Sequence, residues 1–261
     1  MTRENISLWL QQSEPDYYIF FLKAWIPFNA WYVEEYPLLK KKDTEIIKEI
    51  QNTNNSKPKN IIKNLLENSD YDSVKFRSYL AELNYELEKT PVYHNSYRLT
   101  FRDLALNENP IKFQHHVDGL GNVYKTEKGS SFFQAYIQAK NSKVLLDFKK
   151  PLHNPEELCK DTDYIRLDSK LKKMILRLYI EIDPKKGTSI IASKKENCLL
   201  LKSKNPCKVI ADTEIVAKAC IKLLYSLRCM LFHGELPPSE ANKKIYENSY
   251  YMLKSLIKGL K

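Results

Sequence analysis

Glycine is scarce, six residues among 261. So few hinges argue against a turn-rich β-fold and for helices. No G-x-x-x-x-G-K-[ST] or G-x-G-x-x-G run occurs, so neither ATP hydrolysis nor dinucleotide binding is supported. The five cysteines, Cys159, Cys198, Cys207, Cys220 and Cys229, form no C-x-x-C pair. The number is odd and no signal peptide opens the chain, which together predict reduced thiols and a cytoplasmic location. No stretch approaches the roughly 20 apolar residues of a membrane span. The run from Tyr17 to Tyr32 comes nearest, and Lys23, Pro27 and Asn29 interrupt it.

What is abundant is positive charge, with 42 Lys and Arg against 32 Asp and Glu for a net +10. Such a field attracts polyanions, RNA or DNA first among them. A lysine-rich composition also produces it without any such partner.

Apolar periodicity predicts a helix over 16–35, kinked or broken at Pro27 and ended by Pro37 and the lysines at 40–42. Its aromatic surface (Phe20, Phe21, Trp25, Phe28, Trp31, Tyr32) predicts burial on most sides. Further helices are expected over 43–52, 58–67, 71–89 and 169–182. Two strong helices close the chain, one over about 209–232 and the other over 240–257, N-capped by Ser239. Gly234 stops the first, and Pro237-Pro238 prevent its continuation. The stretch 91–205 is the least regular, with a strand-like run at 143–148, a short helix expected near 131–140, and loops. The expected architecture is mainly α: a helical bundle with an irregular, partly β insertion. All 261 residues then form one domain of N-terminal helices (1–90), insertion (91–205) and motif helices (206–261).

Arg228 continues the apolar stripe Ala217, Ile221, Leu224 of the penultimate helix. An arginine there demands an anionic partner or a cleft. His233 follows five residues on, about 7.5 Å along the axis and about 140° around it. The two side chains are therefore not neighbours on an ideal helix. Either the helix end releases His233 toward Arg228, or a two-fold axis gathers two Arg and two His around one cleft. Histidine moves protons near neutral pH, arginine neutralises charge on a phosphate, and RNA brings its own 2′-hydroxyl nucleophile.

The segment Leu224-Tyr225-Ser226-Leu227-Arg228-Cys229-Met230-Leu231-Phe232-His233-Gly234 resembles the R-x4-6-H motif of HEPN domains (higher eukaryote and prokaryote nucleotide-binding). Trp25-Ile26-Pro27-Phe28-Asn29-Ala30-Trp31-Tyr32 is similar to the W-I-x-F-N-A-x-Y pattern in the first long helix of several bacterial HEPN groups. The resemblance covers about 16–36 and 209–257. It implies an α-helical bundle, a homodimer and a metal-independent endoribonuclease, with Arg228 and His233 as the catalytic pair and no cofactor. Products would carry a 2′,3′-cyclic phosphate and a 5′-hydroxyl. It also implies a toxin or phage-defence role, with RNA as substrate and an antitoxin or defence-system protein as partner. Cys229 departs from the family, which carries Asn, His or Asp there. The other function class is a HEPN module that binds nucleic acid, a nucleotide or a partner protein without cutting.

Three further groups carry potential chemistry. Asp118 with Asp147-Phe148-Lys149 mimics the D…(D/E)-x-K pattern of metal-dependent DNA-cutting folds. It equally reads as a salt-bridged strand edge. His115-His116 with Asp118 has no second ligand cluster to join it. Asp161, Asp163 and Asp168 lack the glycine and closing glutamate of a calcium loop, so turn and cap roles suffice for them. Cys220 and Cys229 read as core, and most of the 17 tyrosines as core or boundary residues.

Overall fold

The computed structural model describes residues 15–39, 42–94, 97–106, 109–193 and 197–261. Helix accounts for 53% of the described residues and strand for 16%, the strands forming three antiparallel sheets, so the fold is mixed α/β. That corrects the expected mainly-α bundle with an irregular insertion. The chain divides into two compact units, residues 1–104 with 189–261, and residues 105–188.

The first unit holds α1 (Tyr17–Glu35), α2 (Asp43–Asn52), α3 (Lys57–Glu67), α4 (Tyr71–Lys89), α8 (Thr213–Phe232) and α9 (Glu240–Lys258). Two short hairpins accompany them: β1 (Tyr93–His94) with β2 (Tyr97–Arg98), and β7 (Cys198–Leu201) with β8 (Cys207–Ile210). The helix starts follow from sequence. Asp16, Asp70, Asp212 and Ser239 each accept the backbone N–H three residues on, an N-cap contributing about 1 kcal/mol. α1 runs unbroken through Pro27, and of the lysines expected beyond it, Lys40 and Lys41 lie outside the described residues. Its burial is one-sided. Phe21, Trp25, Phe28 and Tyr32 enter the core, while Ile19, Phe20 and Ile26 remain exposed. Val209, expected to open α8, pairs instead with Leu199 in the β7–β8 hairpin.

α8 is the centre of this unit. Both of its apolar stripes are buried, Val216, Cys220, Leu223, Leu227 and Met230 on one and Ala217, Ile221 and Leu224 on the other. Each large side chain contributes about 1.5–3 kcal/mol on burial. Gln51 of α2 donates to the Lys218 carbonyl at 3.1 Å, and Tyr246 of α9 donates to the Leu227 carbonyl at 2.9 Å. At the other end, Lys59 of α3 is buried and paired with Glu214, which Lys63 also reaches at 3.2 Å.

The second unit is a four-stranded antiparallel meander, β3 (Phe113–Val117), β4 (Val123–Lys128), β5 (Phe133–Gln138) and β6 (Val144–Lys150), in that order. It is followed by α5 (Pro155–Lys160), α6 (Thr162–Arg166) and α7 (Ser169–Glu181). Tyr124, Ala135, Ile137, Leu146 and Phe148 face inward and pack with Leu158, Ile175, Leu178 and Tyr179 of the helices. The helix expected near 131–140 is strand β5. Phe133, Ala135 and Ile137 alternate with Gln134, Tyr136 and Gln138, the period of two that marks a half-buried strand. The meander also needs few glycines. Gly121 takes φ +82° in the β3–β4 turn, and in the β5–β6 turn Ser142 takes φ +66° without one.

Candidate functional site

The C-terminal end of α8 carries both motif residues. His233 is its C-cap and donates its backbone N–H to the Cys229 carbonyl at 3.0 Å. Gly234 adopts φ +64°, and its N–H and that of Glu235 return to Leu231 (3.3 Å) and Met230 (2.9 Å). This pattern of a left-handed residue and two reversed hydrogen bonds closes a helix when a glycine follows its cap. The glycine after the histidine therefore has a structural cause, and the turn leaves His233 exposed.

The anion expected for Arg228 is Asp43, the first residue of α2, whose Oδ2 accepts from Nη2 at 3.0 Å. On its other side the guanidinium lies 4.4 Å from the ring centre of Phe232, itself 59% exposed. Planar guanidinium suits such stacking. The buried Nε of Arg228 has no hydrogen-bond partner among the described residues.

Asp43 also joins the two motifs. The Asp43 charge acts on the Tyr32 hydroxyl of α1, which accepts from the Asn29 amide. Burial, then the Asp43 charge against the opposing Asn29 bond, pushes the Tyr32 phenol up to about 12. Trp25, in the same stretch, packs its ring 6.2 Å from that of Tyr225. Tyr225 shares a 2.8 Å hydrogen bond with Thr44. The structure thus sets the tryptophan of the N-terminal pattern against the helix bearing Arg228, and its tyrosine within the field of Asp43, the partner of Arg228. It also buries Cys229.

Sequence reasoning missed Asp43, Phe232 and His94. His94 Nδ1 lies 2.8 Å from Oε2 of Glu235, two residues past His233. Asp43 had a local signal, an acid opening a helix, but its partner lies 185 residues away.

One chain does not assemble a cleft around the motif. Arg228 turns to Asp43 and Phe232, whereas His233 is exposed at the cap. Two cavities lie away from it, one of about 460 Å³ between α1 and α9 and one of about 440 Å³ in the second unit. On α8 the fully exposed position is Phe232 at its C-terminal end, beside the exposed His233.

The rival sites do not form. Asp118 accepts from Leu120 and Asn122 backbone N–H groups, the Asn122 amide and the Tyr124 hydroxyl. Desolvation opposes its ionisation most, yet these bonds together hold its carboxyl down at about 2. Asp147 is aligned through Tyr136 and Lys125 with His115, three strands and three residues from Asp118. That is about 17 Å from standard spacings, too far for one metal ion. No cluster able to hold a metal occurs among the described residues. Asp161 and Asp168 cap α6 and α7. Among the described residues no helix is long and apolar enough to cross a membrane. No protein-family profile, curated protein or solved structure matches the chain.

Proposed function

We propose that the chain is a metal-independent endoribonuclease of HEPN type, with Arg228 and His233 as its catalytic residues in a site that a second copy completes. The observation that carries this reading is the convergence of two separate motifs on one exposed helix end. Tyr32, held by Asn29, lies within the field of Asp43, Asp43 pairs with Arg228, and the Arg228 guanidinium lies over the Phe232 ring. A lone Arg and His at a helix end would need none of this support.

In the reaction, an imidazole takes the proton of the 2′-hydroxyl and the 2′-oxygen attacks the adjacent phosphorus. The P–O5′ bond breaks, and the leaving 5′-oxygen takes a proton from an imidazolium. Arg228 counters the charge that grows on the non-bridging oxygens. A 2′,3′-cyclic phosphate and a 5′-hydroxyl result. His233 of one copy works beside Arg228 of the other.

A second reading, a binding module that does not cut, draws on two observations. Asp43 already offsets part of the Arg228 charge, and Cys229 is buried. Incubation with total RNA in EDTA, beside Arg228→Ala and His233→Ala, separates the two. Cutting that survives EDTA and is lost in both variants supports the ribonuclease. RNA binding without cutting supports the module.

A further inference from the structure

The second unit carries its own cationic groove. A cavity of about 440 Å³ lies between the β3–β4 turn and α7, bordered by Lys170, Lys173 and Arg177 and lined by Leu120, Tyr124 and Met174. Spacings of three and four residues place the three cations in one row on the helix. The row extends about 10.5 Å along the axis.

All three side chains are exposed, and none has a carboxylate partner among the described residues. Arg177 touches only the soft sulfur of Met174, at 3.4 Å. Neighbouring cations are used differently. Arg166 pairs with Asp163, Lys172 donates to the Ile165 carbonyl, and Lys186 pairs with Glu181. The nearby acids are engaged as well, Asp118 by its four donors and Asp168 by the N–H groups of Lys170 and Leu171. Beside the row, Leu120 stands 76% exposed at the turn.

We propose that this groove binds single-stranded RNA, with Lys170, Lys173 and Arg177 on consecutive phosphates and a base against Leu120 and Met174. The row's length of about 10.5 Å is of the order of the reach of three consecutive phosphates on one strand. An unpaired cationic row beside an apolar surface matches a chain of phosphates with bases, and the net charge of +10 acts in the same direction. RNA as the occupant rests on the ribonuclease reading.

The test is fluorescence anisotropy of a labelled 12-nucleotide single-stranded RNA, titrated with the full chain across a salt series. His233→Ala serves as the parent, so that the probe stays intact. Adding Lys170→Ala, Lys173→Ala and Arg177→Ala should reduce the slope of log affinity against log salt by about 2, at about 0.7 per phosphate contact. At 0.15 M salt that corresponds to about 50-fold weaker binding. The swap Lys170→Arg, Lys173→Arg, Arg177→Lys should retain slope and affinity. Unchanged slope and affinity in the alanine variant, with its circular dichroism intact, would overturn the proposal. So would polyglutamate of equal charge binding as tightly, which would assign the groove to an acidic protein. Because the assay reads binding alone, wild-type chain that fails to cut in EDTA refutes the ribonuclease reading separately.

Discussion

Replacing Asp43 with Asn keeps the volume of the side chain and removes the charge that holds Arg228. At about 4 Å between charge centres the attraction is about 4 kcal/mol for an effective dielectric of about 20. Arg228 is 20% exposed and Asp43 30%, so part of this is lost to screening and part to desolvating the pair. Charge-assisted hydrogen bonds contribute about 1.5–3 kcal/mol net, and about 2 kcal/mol is expected here. Asp43 also lies in the first turn of α2, where a negative charge adds about 0.3–1 kcal/mol. The pair is therefore isolated by a double-mutant cycle of Asp43→Asn and Arg228→Gln. Urea unfolding followed by tryptophan fluorescence, with Trp25 in this core, should give a coupling of about 2 kcal/mol. The same Asn variant should lower kcat for RNA cutting at least about tenfold with little change in KM, because the arginine is still present but poorly aimed. A coupling below about 0.5 kcal/mol, or unaltered cutting, would refute the role assigned to Asp43.

Gly234→Ala meets no atom within 4 Å but must hold φ +64°, so it should cost about 1 kcal/mol in urea unfolding and reduce cutting through a displaced His233. Unchanged stability would count against the helix-end geometry. Asp118 is held at about 2, below its ordinary 3.8. Its contribution is thus present above about pH 4 and lost as pH falls toward 2. Asp118→Asn should flatten the fall in stability over that window, and an unchanged profile would show that the turn does not depend on the charge. His94→Ala should weaken cutting less than about tenfold, since His94 acts on Glu235 and not on the phosphate. Complete loss would move the proton transfer to His94.

The helices of the first unit were legible because period and punctuation agree. Asp16, Asp70 and Ser239 cap helices whose ends fall within one or two residues of the expected ones. The motif helix was legible for the same reason, down to the glycine that closes it. The meander was misjudged because glycine count stood in for turn chemistry. Ser142 and the Asp118 hydrogen bonds make its corners with little glycine, and the alternation at 133–138 was the signal to follow. Arg228's need for an anion could be read from its place in an apolar stripe. Which anion could not, because Asp43 and Arg228 become neighbours only when α2 packs on α8.

Mixing the two inactive variants tests most directly whether one chain carries half a site. Arg228→Ala and His233→Ala proteins, unfolded and refolded together, should regain about a quarter of wild-type RNA cutting in EDTA. Half of the dimers then pair unlike chains, and each of these holds one intact site of two. A refolded mixture as inactive as either variant alone, while wild type treated alike still cuts, would contradict a site shared between copies.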